Sequence, residues 1–219
     1  MEENGGTKVL VDDTRAFSGS KSVKINVPVA AMGAEGSFRL DPLPSQLPDA
    51  YMRMMVYLES KPVGTNKMHW TYLRAVGSLV AKTQNKIVRA TTGIGGHPHE
   101  WQETQIGLKN DLSFADCWNH TSQAVPTGKW ACVEYHLKEQ GDLHEVWVDG
   151  TKIGPLSYSK IPAHNRTGCQ DDETGEQLLV PTTTVVTFGW RHAHGLTSPL
   201  NMWIDDVAVD NKRIGCPQK

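Results

Sequence analysis

Nine histidines occur in the chain, and four of them fall in two pairs with a spacing of two, His97-Pro98-His99 and His192-Ala193-His194. Residues i and i+2 of an extended chain point to one face, so each pair could aim two imidazoles into one groove. His69 joins them if the register of its own strand agrees. A neutral imidazole can take up or return a proton near neutral pH, whereas several converging imidazoles can hold zinc, copper or another transition ion. Spacing alone does not choose between these uses. For any single histidine, a hydrogen-bonded or solvated structural role is the plainer reading.

Cations accompany the histidines: Arg74, Lys86, Arg89 and Arg191. The planar fork of arginine matches the two oxygens of a carboxylate, which makes these residues candidates for gripping acidic sugars. In β-elimination from a uronate, the carboxylate must be neutralised so that the C5 proton becomes acidic. A base must then take that proton and a donor must help the departing 4-oxygen. On this reading Arg89 binds the carboxylate, and His97, His99, His192 or His194 moves the proton. His69, Lys86, Trp101, Trp190 and Arg191 are the expected substrate contacts. Trp70 and Trp118 also offer flat apolar faces for sugar rings, whereas Trp130, Trp147 and Trp203 stand at strand positions where packing is expected. The competing reading of each cation is a solvated charge beside a strand edge.

To bring these residues together, distant segments must pair. Strand-length runs rich in β-branched and aromatic residues recur between turn signals, at Lys21–Val27, Tyr51–Leu58, His69–Val76, Lys86–Thr91, Trp130–Leu137, Leu143–Val148, Thr182–Gly189 and Met202–Val209. No long window repeats apolar residues at helical spacing with capping signals, which predicts an all-β plan. Ile94–Asn119 and Ser157–Gln177 are dense in Gly, Pro, Asn and Asp and are expected to be loops leaving one sandwich. Residues 1–219 are therefore expected to form a single domain. Asp205 and Asp206 must point to opposite faces of a regular strand, so the inward one needs a partner, either a calcium ion or a basic side chain.

Composition narrows the classes. Hydrophobic residues make up 38% and charged residues 21%, which allows a packed core, and a net charge of −2 argues against nucleic acid as a partner. No apolar stretch approaches membrane-spanning length. No P-loop, dinucleotide fingerprint, G-x-S-x-G or H-E-x-x-H motif occurs, and no organic cofactor is expected. Cys117, Cys132, Cys169 and Cys216 lack C-x-x-C spacing, which favours disulfides and a secreted protein. Cys132 lies in a strand and Cys216 follows the last one, so a bond between them would tie the C-terminus to the sheet and leave Cys117 and Cys169 to pair. The alternative is one pair of buried free thiols. Asn119-His120-Thr121 and Asn165-Arg166-Thr167 are glycosylation acceptors compatible with export.

The segment Gly128-Lys129-Trp130-Ala131-Cys132-Val133-Glu134-Tyr135-His136-Leu137, followed by Glu145-Val146-Trp147-Val148-Asp149-Gly150, resembles the cellulose-induced secreted proteins found alongside fungal cellulases. The likeness resumes at Phe188-Gly189-Trp190, Trp203-Ile204-Asp205-Asp206 and Arg213-Ile214-Gly215-Cys216. This resemblance implies a β-jelly roll, a concanavalin A-like sandwich with a concave carbohydrate cleft, similar to glucuronan and alginate lyases. It supports the Cys132–Cys216 bond and implies a structural calcium ion touching Asp205 and the Ser18–Lys21 turn. Lys86 and Arg89 match a Lys-x-x-Arg pattern of the family, although Ile87 stands where a histidine is expected. A second alignment instead places His97 and His99 where the family has polar amides. The implied protein is a monomer that acts on an acidic polysaccharide as a lyase, or as a noncatalytic accessory to lignocellulose degradation.

Overall fold

The computed structural model describes residues 1–30, 33–65, 68–81, 86–97, 100–109, 118–123, 126–140, 143–159 and 180–218, with the backbone alone described in 78–81, 86–97, 100–109, 118–120 and 158–159. Fifteen strands make up the described fold: β1 (Glu2–Asn4), β2 (Lys8–Asp12), β3 (Ser22–Val27), β4 (Glu35–Leu40), β5 (Asp49–Leu58), β6 (His69–Ala81), β7 (Lys86–His97), β8 (Glu100–Lys109), β9 (Trp118–Thr121), β10 (Trp130–Lys138), β11 (Leu143–Val148), β12 (Thr151–Lys152), β13 (Tyr158–Ser159), β14 (Thr182–Ala193) and β15 (Leu200–Asp210). A single 3-10 turn, Gly154–Leu156, is the only helical element among the described residues. Among the described residues, no helix is long and apolar enough to cross a membrane.

The strands form two antiparallel sheets. The first runs β1-β4-β14-β6-β7-β8-β9 and the second β12-β11-β10-β5-β15-β3-β2, with β13 paired to β11. Their facing sides are dictated by two-residue alternation. In β5, Ala50, Met52, Met54, Val56 and Leu58 are buried while Tyr51, Arg53 and Tyr57 are partly exposed. These meet Trp70, Tyr72, Leu73, Val186, Phe188 and Trp190 of the first sheet in one continuous apolar core. This is the two-layer sandwich expected from the strand pattern, and it agrees with the jelly roll that the family resemblance implies.

Two expectations about loops need correction. Much of the stretch Ile94–Asn119 is strand: β7 continues to His97, and β8 and the start of β9 follow, adding two strands to the first sheet. Glycine and polar residues lowered its apparent β character, but a strand hydrogen-bonded to its neighbours tolerates them when only one face is buried. The stretch Ser157–Gln177 contributes β13, and residues 160–179 lie outside the described residues.

The outer side of the second sheet is occupied by its own side chains. His136 stacks on Tyr51 with ring centres 3.8 Å apart, and its two nitrogens lie 2.7 Å from carboxylate oxygens of Glu145 and Asp49. Arg213 covers Trp147, and Arg15 lies over both Tyr57 and Trp203. Trp147 and Trp203 are buried there, as packing residues. The outer side of the first sheet is organised differently.

Candidate functional site

Antiparallel register places side chains from separate strands in rows across the outer face of the first sheet, because directly opposed residues share a face. One row runs Glu35 (β4), Arg191 (β14), Thr71 (β6), Gly95 (β7) and Gln102 (β8). A neighbouring row runs Arg39, Thr187, Arg74, Gly93 and Thr104 through the same strands. Position 95 lies beside Thr71 and position 93 beside Arg74, and both are glycine, so β7 raises no side chain there. These two positions therefore add no side chain next to a charged cluster.

Within the cluster, Arg74 Nη2 donates to Glu35 Oε1 in a tight ion pair, and Ser37 Oγ donates to the same oxygen at 3.0 Å. Arg191 Nε lies 3.9 Å from Glu35 Oε2. The Glu35 and Arg74 side chains are only 11% and 14% exposed, whereas that of Arg191 is 59% exposed. Glu35 therefore neutralises the inner guanidinium and leaves the outer one facing solvent. Its backbone is fixed from the N-terminal turn: its N–H donates to Asn4 Oδ1 at 2.6 Å, and its carbonyl accepts the Thr7 hydroxyl. In that turn Gly5 and Gly6 have φ of 59° and 81°, a left-handed conformation that glycine adopts without a Cβ penalty.

Imidazoles lie at the end of the same face. His69 pairs with Ala193, one rung beyond the Trp70–His192 pair, and its ring centre is 5.5 Å from that of His194, with the ring planes at 69°. Two-residue alternation puts His69 on the side of Thr71, about 7 Å along the strand from the Arg191 row. Glu35 and Ser37 were not singled out as candidates from the sequence. The alternation in Glu35-Gly36-Ser37-Phe38-Arg39-Leu40 is the signal that could have flagged their strand.

The sequence expectations divide accordingly. Arg191 and His69 stand on the outer face, and His194 packs against His69. Trp190 and His192 do not, being 0% and 2% exposed, and neither reaches a molecule outside the sheet. Trp190 stacks on Trp70 at 5.3 Å between ring centres, inside the sandwich. The His192-Ala193-His194 pair does not share a face, because His194 has φ of 63° and has left the extended conformation. Arg89 pairs in register with Ser78 and Lys109, Lys86 with Ala81, Trp101 with Gly96 and Thr121, and His97 with Glu100. The side chains of these four lie outside the described residues, as do His99, Cys117 and Cys169 entirely.

Burial also fixes the chemistry of His192. The indole N–H of Trp190 donates to its Nδ1 at 2.8 Å, so the ring's single proton sits on Nε2. Desolvation lowers its pKa from the ordinary 6.5, and protonating Nδ1 would break the bond to Trp190. A histidine with a depressed folded pKa adds stability above its unfolded pKa and loses it as pH falls. Acidification from pH 7 is therefore expected to lower the unfolding free energy, starting near the unfolded value, with a slope of up to about 1.4 kcal/mol per pH unit. Urea unfolding of His192→Gln should show that slope reduced between about pH 6.5 and 5. An unaltered slope would remove His192 as its source.

Asp205 finds its partners in backbone N–H groups and not in a basic side chain. Its Oδ2 accepts the backbone N–H groups of Phe17 at 2.8 Å and Ser18 at 3.1 Å, and its Oδ1 accepts that of Asp206 at 2.8 Å. Ser18 Oγ donates to Asp206, and Lys21 is exposed. N–H donors directed at both oxygens are the complement of a carboxylate, whereas calcium needs a shell of oxygens. Both Asp205 oxygens are thus satisfied by N–H donors of the chain. Chelation is expected to leave the thermal midpoint of the protein within about 1 °C, corresponding to well under 1 kcal/mol. A fall of several degrees, reversed by calcium, would contradict this. A trio of other metal donors, Cys132, Glu134 and Cys216, has ligand atoms within 4.8 Å, but its sulfurs are joined in the Cys132–Cys216 disulfide.

The family model described as the Cip1-like core domain of polysaccharide-lyase-like proteins matches residues 1–212. No curated protein matches the chain in sequence. Among solved structures, a cellulose-induced protein, Cip1, superposes with a TM-score of 0.65 at 24% identity, over 98% of this chain and 90% of that one. An endo-β-1,4-glucuronan lyase from the fungus Trichoderma reesei superposes with a TM-score of 0.57 at 11% identity, over 95% of this chain and 88% of that one. At these identities the two superpositions establish a shared fold.

Proposed function

The chain belongs to the Cip1-like family of polysaccharide-lyase-like proteins, and from that premise we propose that the outer face of its first sheet binds an acidic polysaccharide and cleaves it by β-elimination. The observation that carries this reading is the exposed guanidinium of Arg191 beside the Glu35–Arg74 pair, on the face where His69 and His194 meet. Arg191 pairs with a uronate carboxylate, which makes the C5 proton more acidic. An imidazole of the His69–His194 group, or His97 at the end of β7, takes that proton. The C5–H electrons become the C4=C5 double bond, the C4–O bond breaks, and the departing oxygen receives a proton. Exported proteins keep disulfides oxidised, so the Cys132–Cys216 bond supports action outside the cell.

A noncatalytic polysaccharide-binding role is the second reading. It is favoured by the burial of Trp190 and His192, which removes two of the expected active-site side chains from the face. Incubation with a panel of polyuronates, followed by ultraviolet absorbance of the unsaturated product, separates the two. The elimination reading expects absorbance to rise with at least one polymer. Binding to every polymer without a new double bond would leave the accessory role, and failure to bind any would sink both.

A further inference from the structure

We propose that Glu35 is a specificity-determining residue of the outer face, one that confines it to polymers carrying a single carboxylate per sugar and turns away sulfated ones. The inference rests on the polysaccharide-binding reading above and adds to it a limit on charge density. Three guanidinium groups of described side chains lie in the two rows around Arg191, and each faces a carboxylate. Arg74 is taken by Glu35, and Arg39 by Glu2 at 2.7 Å and Asp41 at 3.1 Å. Glu2 pairs in register with Ser37, two residues from both Glu35 and Arg39, so it shares their face. Arg191 faces Glu35 at 3.9 Å. Three positive and three negative groups therefore cancel among the described side chains of this patch. A densely charged polyanion finds no net positive potential there, whereas one carboxylate can still use the planar fork of the exposed Arg191.

Glu35 is the group that a second anion would meet. Its Oε1 is occupied by Arg74 and by the Ser37 hydroxyl, and its Oε2 lies on the Nε side of Arg191. The terminal nitrogens of Arg191 are thus the ones left for a uronate carboxylate. A sulfate carried close to that carboxylate faces Glu35, with no uncommitted cation among the described residues of the cluster. Burial holds the Glu35 side chain in place, at 11% exposure, and the bonds from its backbone to Asn4 and Thr7 fix the strand beneath it. Juxtaposed like charges are a general device for rejecting a wrong partner while leaving the right one bound.

The test is calorimetric titration of the full-length protein with alginate, polygalacturonate and polyglucuronate, each as isolated and after chemical sulfation. The parent is expected to bind at least one unsulfated polymer, and to bind its sulfated form about tenfold more weakly or worse. Glu35→Gln removes the charge but keeps an oxygen for Arg74, and should cut that preference about tenfold, chiefly by tightening the sulfated form. Glu35→Asp keeps the charge and should keep the preference. A merely structural role would weaken both forms alike and leave their ratio in Glu35→Gln unchanged. Circular dichroism checks that each variant keeps the parent fold, and a salt series on the parent needs no variant. Raising salt from about 0.05 M to about 0.5 M should narrow the preference as the repulsion is screened. Equal or tighter binding of the sulfated form by the parent, a preference indifferent to salt, or an unchanged ratio in Glu35→Gln would overturn the proposal alone. Failure of the parent to bind any of the unsulfated polymers would remove the polysaccharide reading and the proposal with it.

Discussion

Replacing Arg191 with alanine is expected to lower polyuronate turnover about a hundredfold or more, with the thermal midpoint unchanged. The loss follows from removing the strongly exposed cation among the described residues of the cluster, whose charge would act on the enolate-like state of the uronate. Removing a single such donor from an acyl-transfer site costs about 10²–10³ in rate, and a comparable effect is expected here. Lysine at this position should recover only part of the loss, because a point charge lacks the planar fork that matches a carboxylate. The fold should not respond, since the Arg191 side chain is 59% exposed and its nearest carboxylate contact is long, at 3.9 Å. Arg74 would be a poorer test. Its removal strands the buried Glu35 charge, a change that costs about 3–5 kcal/mol in comparable buried pairs and obscures any functional effect. Initial rates for Arg191→Ala within threefold of the parent would place carboxylate recognition elsewhere.

The second large effect concerns stability. Replacing Cys132 and Cys216 together with alanine should reduce the unfolding free energy by roughly 4–5 kcal/mol, the chain-entropy value for a loop of this size. The bond spans a sequence separation of 84 and ties the C-terminal segment to β10. Folded-state contacts should survive its loss. Arg213 Nη2 still reaches Glu134 Oε1 at 2.9 Å, and the N–H of Gly215 donates to Glu134 Oε2 at 2.9 Å. The change should therefore appear mainly as a freer unfolded chain, visible as a lower denaturant midpoint in an otherwise native-like protein. A decrease below about 1 kcal/mol would show that those contacts, and not the covalent link, hold the segment.

The strands with a buried apolar face were legible from runs of β-branched and aromatic residues between turn signals, among them β5, β6, β10, β14 and β15. The disulfide was legible because one cysteine sat in such a strand and the other just beyond the last one. Arg191 is a candidate for sugar carboxylates and stands on the outer face, yet its neighbours Trp190 and His192 were assigned to the same function. Alternation itself forbids that: residues 190 and 192 of a regular strand share one face and residue 191 takes the other. The apolar indole decides which face goes inward, and His192 goes with it. The His192-Ala193-His194 spacing misled because the strand ends there and His194 turns left-handed, a local backbone choice that spacing does not reveal. Glu35 escaped notice for a different reason. Its significance arises only when β4 pairs with β14 and β14 with β6, bringing Arg191 and Arg74 to it from far along the chain. Such non-local register has no local signature in composition.

The most direct test of the account is a crystal structure of the protein soaked with a short oligouronate that it binds in solution. The account predicts a sugar carboxylate within hydrogen-bonding distance of the Arg191 guanidinium, about 2.7–2.9 Å, with the ring lying over the Gly93 and Gly95 positions. An oligosaccharide seated instead on the opposite sheet, against Tyr51, Tyr57 or Trp130, would contradict it.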